Sequence, residues 1–277
     1  MVTRGEARAG ALAILRAAGV PSPALDADVL LAHVAEVRKE VLVAHPGAEL
    51  PPDTARRYDA LIARRAAGEP VAYLRGYKEF YGIIFGVDPR VLVPRPETEV
   101  LVDAIRAFAA GRALTVVDVG TGCGAVAIAL ARHEPALRII ATDISTGALA
   151  VARDNAAATG LAARIEFREG DLLGPIDDPV DIVAANLPYL RAEALDDLSG
   201  DRASLAFEPR AATVAGDDGL DLIRRAITDL PRVLAPGGAA FFECDPPQVP
   251  VLRALAGRPV RVVADLAGAD RVVVIGP

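Results

Sequence analysis

Asn186-Leu187-Pro188-Tyr189 follows the apolar run Asp181-Ile182-Val183-Ala184-Ala185. These residue types suit one job, the holding of a planar, weakly nucleophilic nitrogen in a fixed pose. The Asn186 side chain offers a carbonyl oxygen to an N–H donor and an amide to an acceptor. Pro188 fixes its own φ and biases Leu187 toward an extended backbone, so the carbonyls here point in set directions. Tyr189 can lie flat against a planar group. Asn186, Pro188 and Tyr189 are therefore the catalytic candidates, and together with Leu187 they are the candidate substrate contacts. A strand end followed by an ordinary proline turn has the same local pattern, so the tetrapeptide needs a second motif beside it.

That motif lies upstream, in Asp118-Val119-Gly120-Thr121-Gly122-Cys123-Gly124-Ala125. Glycines between a strand and a helix let the backbone turn tightly and approach a ligand, and the helix start supplies free N–H donors. Asp143 closes the next strand about 20 residues on, where an acid accepts from ribose hydroxyls. Asp171, after the third strand, stands where a purine edge would be gripped, with Leu172 against its face. A solvated strand-end turn competes for both acids, more strongly for Asp171. The loop also fits a dinucleotide site loosely. An Asn-x-Pro-Tyr after the fourth strand is of no use to hydride transfer, however, and with Asp118 before the loop it favours S-adenosylmethionine. The cofactor candidates are Gly120, Thr121, Gly122, Cys123, Gly124, Asp143, Asp171, Leu172 and Asn186.

The elements that must position these groups fall into two patterns. From about Gly5 to Leu74 the chain reads as helices. Ala7, Ala11, Ile14 and Leu15 make a helical stripe ending at Gly19, and Ser22-Pro23 reads as an N-cap with a first-turn proline. A third helix runs from Pro51-Pro52-Asp53 to Gly68. Between Gly76 and Val93, aromatic and β-branched residues around Gly82 and Gly86 read as a β-hairpin, with Phe80, Tyr81 and Phe85 as pocket wall or hairpin core. Glu97 and Glu99 follow Pro96 at a helix start, where acids complement the dipole, and Arg95 is a candidate partner for a site carboxylate.

Beyond Gly111 strands alternate with helices: strands at 114–119, 138–142, 165–169, 180–185, 239–243 and 271–275, and helices at 125–132, 147–159 and 220–234. That order predicts an α/β fold with a parallel, doubly wound sheet.

Bulk composition narrows the classes. At 52% hydrophobic and 24% charged residues, a 277-residue chain can fill a core, and global disorder is excluded. No apolar run approaches the roughly 18–20 residues that span a bilayer. The early Glu6 and the interrupting Arg16 do not suit a signal peptide. Cys123 and Cys244 lie far apart and the three histidines are scattered, so reduced thiols in a cytoplasm and no metal site are expected. A net charge of −7 is the wrong sign for a protein living on nucleic-acid backbone. Residues 1–80, with 11 basic and 10 acidic side chains, escape that excess and allow a local basic face.

The chain resembles the protein-(glutamine-N5) methyltransferases that modify peptide chain release factors, the HemK-type enzymes. The resemblance runs through Arg64-Arg65-Ala66-Ala67-Gly68-Glu69-Pro70-Val71-Ala72-Tyr73-Leu74-Arg75-Gly76, Phe80-Tyr81-Gly82 and Val93-Pro94-Arg95-Pro96-Glu97-Thr98-Glu99. It continues in Phe207-Glu208-Pro209-Arg210, Asp218-Gly219-Leu220-Asp221 and Asp265-Leu266-Ala267-Gly268-Ala269-Asp270-Arg271-Val272. The resemblance implies a helical domain that docks the release factor (1–75), a hairpin linker (76–96) and a class I, Rossmann-like methyltransferase domain (97–277). It also implies S-adenosyl-L-methionine as cofactor, the glutamine of a Gly-Gly-Gln loop as substrate, class 1 release factors as partners, and neither nucleic acid nor membrane as a direct partner.

Two departures stand out. Leu187 replaces the proline usual in the family, and Asn-Leu-Pro-Tyr is the form found in rRNA adenine-N6 dimethyltransferases, so an adenine-N6 methyltransferase on RNA or DNA is the alternative. A non-catalytic adaptor for release factors is a third reading. The second departure, Glu243-Cys244-Asp245-Pro246-Pro247-Gln248, replaces a glycine usual soon after the glutamate and has no physical account from sequence.

Overall fold

The computed structural model describes residues 2–195 and 200–277. The chain forms two compact units, Met1–Tyr77 with Leu195–Phe207, and Lys78–Ala194 with Glu208–Pro277. The hairpin from Lys78 onward falls within the second unit. The excursion that joins the first unit packs at Gly68, a left-handed residue (φ 103°) whose added Cβ would stand 3.3 Å from Phe207 and 3.4 Å from Ala203.

In the first unit, β1 (Val2–Thr3) leads into α1 (Arg4–Ala17), followed by α2 (Pro23–Ala35), α3 (Lys39–Ala44), β2 (Glu49–Leu50), α4 (Pro52–Ala66) and α5 (Val71–Arg75). β1 and β2 pair antiparallel. Helix α1 starts with a reciprocal cap: the Thr3 hydroxyl accepts from Glu6 N at 3.2 Å, and the Glu6 carboxylate accepts from Thr3 N at 2.8 Å. Ser22 makes no side-chain cap on α2, which relies on Pro23 in its first turn. Leu15, Leu30, Leu31, Tyr58 and Ile62 form the core. Arg65 pairs with Asp26 at 2.7 Å and donates to the carbonyls of Gly68 and Glu69, closing the end of α4.

The second unit begins with the hairpin β3 (Tyr77–Phe80) and β4 (Ile83–Gly86), then α6 (Glu99–Ala109) and β5 (Thr115–Val119). It continues through α7 (Ala125–His133), β6 (Arg138–Asp143), α8 (Thr146–Ala158), β7 (Ile165–Glu169) and β8 (Val180–Ala185). It closes with α9 (Asp221–Val233), β9 (Leu234–Glu243), α10 (Val249–Leu255), β10 (Val260–Ala264) and β11 (Asp270–Ile275). The sheet order is β10-β11-β9-β8-β5-β6-β7. Val116, Val117, Val119 and Ile182–Ala185 are buried, as central parallel strands covered on both faces require.

The sheet is mixed, not wholly parallel. Pairs among β5 to β9 are parallel, while β11 runs antiparallel to both β9 and β10. The turn between β10 and β11, closed by Asp265 N donating to Ala269 O at 2.8 Å, is far too short for a crossover. β10 and α10 are additional to the elements expected from sequence.

Two polar clamps hold the hairpin. Tyr81 sits at φ 52°, an uncommon place for a residue with a Cβ. Its N–H donates to Glu99 Oε1 at 2.8 Å, its hydroxyl bonds the Asp103 carboxylate, and Arg106 donates to that hydroxyl at 2.7 Å. Glu99 is therefore a clamp on the turn as well as a first-turn acid. Phe80 and Phe85 are core, and none of the three hairpin aromatics lines the cavity described below. The second clamp is Asn155 on α8. It accepts from Gly86 N at 2.7 Å and donates to Gly86 O at 3.0 Å and to Cys123 O at 2.9 Å. One buried carboxamide thus ties the hairpin to the glycine loop. Asn155→Ala is expected to lower the stability of the chain by about 3 kcal/mol, because buried partners lose their hydrogen bonds; urea denaturation checks this, and a change under about 0.5 kcal/mol would remove the clamp's role.

Candidate active site

β5 and β8 lie side by side with Val119 opposite Ala185, so the loops that follow them leave the same edge of the sheet. β6 and β7 extend to one side of β5 and β9 to the far side of β8, which makes this the switch point where open α/β sheets bind ligands. A cavity of about 570 Å³ opens there, the size of a small-molecule site. It is lined by Gly120, Thr121, Gly122, Cys123, Asp143, Asp171, Leu172, Asn186, Leu187 and Pro188 among others. Gly124 lies just behind, capping α7 at φ 84° with Ile128 Cδ1 3.0 Å from where its Cβ would stand.

Gly120 needs to be glycine because an added Cβ would stand 3.1 Å from Leu187 Cδ2, and its φ is 69°. At Gly122, with φ 57°, an added Cβ would meet only open space. Asp118 lies buried beneath the loop and accepts from Thr121 Oγ1 at 2.7 Å and Ala127 N at 3.2 Å; burial pushes its carboxyl up to about 6. It braces the loop. Asp143 accepts from Gly122 N and Ser145 N, both at 2.9 Å, which holds its carboxylate at the cavity wall beside the exposed apolar face of Ile144. Asp171 pairs with Arg225 at the cavity edge, and Leu172, at φ 48°, adds an apolar surface. Burial pushes the Cys123 thiol up to about 12, so it is an inert filler. A carboxylate for ribose hydroxyls, apolar flanks for a purine and open space over glycine form a set that fits S-adenosylmethionine.

Asn186 Nδ2 donates to Thr98 Oγ1 at 2.9 Å. Glu243, at the end of β9, lies close enough to the Thr98 hydroxyl for that hydroxyl to favour its charged form. Glu243 is fully buried, its Oε2 has no hydrogen-bond partner, and burial pushes its carboxyl up to about 7 against the polarity of nearby Thr98 and the charge of Arg271. Arg95 lines the cavity and pairs at 2.6 Å with Glu208, another fully buried side chain. Burial raises the Glu208 carboxyl while Arg95 opposes the rise.

Tyr189 does not line the cavity. Its ring packs on the sheet core and its hydroxyl reaches Glu243 Oε1 at 3.4 Å, so it stands behind Asn186 and is not a platform for a planar group. Its carbonyl accepts from Gln248 Nε2 at 3.0 Å, which also donates to Asp218 O at 3.2 Å, while Asp245 N donates to Gln248 Oε1 at 3.0 Å. The unexplained segment at 243–248 thus ends by holding the Asn186 turn. Gly219 completes the fit: at φ 76°, an added Cβ would stand 2.0 Å from Tyr189 O.

Thr98, Glu243 and Gln248 lie inside recognisable motifs whose spacing announces no role for them, and Asn155 carries no sequence signal at all. The acids flanking Thr98 draw attention by their charge, yet Glu97 is exposed and Thr98 is the buried member. Gly219→Ala is expected to cost at least about 2 kcal/mol through strain and collision, read from thermal denaturation. Glu243→Gln is expected to melt higher than wild type at about pH 8, with the gap closing below about pH 4.5. The sign follows from a folded-state pKa raised from 4.5 to about 7, so the stability tied to this carboxyl is present below 4.5 and lost as pH rises through 7.

Residues 6–76 match the PrmC N-terminal domain family and residues 96–201 the methyltransferase small domain family. The release factor glutamine methyltransferase of Moorella thermoacetica is 40% identical over 277 residues, covering 98% of this chain and 97% of the relative. That of Koribacter versatilis is 39% identical over 280 residues, covering 99% and 98%. Among solved structures, the hMettl16 catalytic domain superposes with a TM-score of 0.54 at 15% identity over 81% of this chain and 82% of that one. A 16S rRNA methyltransferase of T. thermophilus, in complex with AdoMet and guanosine, gives 0.53 at 18% identity over 72% and 49%. At those identities the structures bear on the fold alone. The extent and identity of the sequence matches settle the family: this chain belongs to the release factor glutamine methyltransferases.

Proposed function

We propose that the chain transfers a methyl group from S-adenosylmethionine to the side-chain amide nitrogen of the glutamine in the Gly-Gly-Gln loop of class 1 release factors. The products are N5-methylglutamine and S-adenosylhomocysteine. The observation that carries this reading is Asn186, held at the wall of the switch-point cavity through Nδ2 so that Oδ1 is left as an acceptor.

The bound cofactor supplies an electrophilic sulfonium methyl. A carboxamide nitrogen is a poor nucleophile, because its lone pair is delocalised into the carbonyl. Asn186 Oδ1 and the Leu187 main-chain carbonyl each accept one N–H of the substrate amide, and this fixes the direction of the nitrogen. Alignment of this kind lowers a barrier by several kcal/mol, up to about 7–11 in the best intramolecular cases. The amide sheds a proton to solvent as it becomes methylated, so no strong base is required beforehand. Leu187 serves as well as proline for a backbone contact, since its side chain is buried in the sheet core. Asp143 holds the ribose, Gly120 to Gly124 give the backbone its close approach, and Asp171 with Leu172 flank the base. Asp171 must first loosen its pair with Arg225 to do so.

Among the described residues no helix is long and apolar enough to cross a membrane, and a translation factor as substrate supports a cytoplasmic enzyme. Labelled methyl transfer offered to a release factor, its Gln→Ala loop variant and rRNA tests the reading. Label on the intact release factor alone is expected. Label on rRNA would establish the adenine reading instead, and label on nothing would favour the adaptor. Asn186→Ala is expected to keep cofactor affinity within about twofold while kcat falls about a hundredfold or more; turnover near wild type would overturn the role given to Oδ1.

A further inference from the structure

We propose that Arg95 binds the α-carboxylate of the cofactor's methionine part, and that Glu208 is the positioning residue that holds its guanidinium at the cavity wall. The inference rests on S-adenosylmethionine as cofactor and is independent of the methyl acceptor.

Among the described residues, the cations lining the cavity are Arg90, Arg95 and Arg225. Arg90 is clasped by the Asp88 carboxylate through Nε at 3.0 Å and Nη2 at 2.6 Å. Arg225 meets the half-exposed carboxylate of Asp171. Arg95 is held differently. Its Nη2 donates to Glu208 Oε1 at 2.6 Å, while Glu208 Oε2 is buried with no hydrogen-bond partner. Arginine and carboxylate commonly meet through two parallel bonds. A one-point grip leaves the rest of the guanidinium, on a side chain 32% exposed, open to a second anion. The Glu208 side chain is wholly buried, so the guanidinium is held from within the fold.

Place along the sheet edge decides which part of the ligand Arg95 meets. The strand order β8-β5-β6-β7 sets Asn186, the glycine loop, Asp143 and Asp171 in that sequence along the edge. With Asp143 at the ribose and Asp171 at the base, the amino-acid part of the cofactor extends the other way, toward β8. Arg95 belongs to that end. Its carbonyl accepts from Thr98 N at 3.1 Å, and Thr98 Oγ1 accepts from Asn186 Nδ2 at 2.9 Å.

Charge decides the class of group. The sulfonium and the ammonium of the cofactor are both cations, and a guanidinium beside them in a partly buried cavity repels each. Only an anion carried by the same molecule reverses that sign, and the α-carboxylate is the one anion it has. The planar fork of arginine also matches a carboxylate in shape.

Calorimetry on the full chain with S-adenosylhomocysteine and its decarboxylated analogue tests this. The two ligands differ by the carboxylate alone, and neither reading depends on turnover. Arg95→Met is expected to weaken S-adenosylhomocysteine roughly ten- to a hundredfold, the range of a charge-assisted hydrogen bond, and to leave the analogue within about twofold. Arg95→Met strands the buried Glu208 carboxylate, so the double variant Arg95→Met with Glu208→Gln is measured beside it and is expected to show the same selective loss. Glu208→Ala should also lose affinity for the carboxylate-bearing ligand alone. Glu208→Gln, whose Oε1 still accepts, should restore it. Equal weakening of both ligands would make Arg95 a brace of the fold and overturn the proposal. Unchanged affinity for both, with a raised KM for a release factor, would assign Arg95 to the protein substrate and overturn it as well.

Discussion

Parallel pairing of β5 with β8, with Val119 opposite Ala185, is the constraint on which the site depends. Both strands are buried on both faces, so a slip of one residue would move apolar side chains to the wrong layer of the core. In-register ends bring the glycine loop and the Asn186 turn together although 66 residues of sequence separate the facing pair 119 and 185. The contact of Leu187 Cδ2 with the space over Gly120 is a direct result. A leucine in place of the family's proline therefore joins the two loops through packing.

Around that junction, buried polar side chains do what loops cannot do for themselves. Turns crowded against a sheet edge leave main-chain groups that must be paired. Asn155 pairs those of Gly86 and Cys123, Gln248 those of Tyr189, Asp218 and Asp245, and Glu99 that of Tyr81. Each spans segments distant in sequence, so each also sets a distance between a site loop and a rigid element. Buried acids add a second layer. Asp118 braces the glycine loop from below, Glu208 holds Arg95, and Glu243 stands behind Thr98. Burying carboxyl groups raises the cost of ionising them, so the same residues that order the site make it responsive to pH.

Much of this was open to reading from the chain alone, and the reason is local. Strand and helix periodicity, glycines at a strand-to-helix turn, an acid one strand on and Asn186 before Pro188 are short-range patterns whose physical meaning does not depend on the rest of the molecule. They give the α/β order and single out the glycine loop and Asn186, which the fold brings to the wall of one cavity. The mixed sheet was missed because β10 and β11 are joined by a turn whose shortness matters only once both strands are recognised. An aromatic beside a proline turn has no preferred side until its neighbours are known; in the fold the Tyr189 ring packs on the sheet core and its hydroxyl turns toward Glu243.

Sequence by itself determined the chemistry on offer: a carboxamide after one strand, an acid after another and glycines between a strand and a helix. Tertiary structure decided the partners. Thr98 and Asn186 stand 88 positions apart in the numbering, and nothing in either segment announces the other. The hydrogen bond between them exists only after the fold has brought the start of α6 against the end of β8. Propensity and periodicity act over a few residues, whereas the orientation of a buried amide is fixed by whichever donors and acceptors the completed core leaves within 3 Å or so of it.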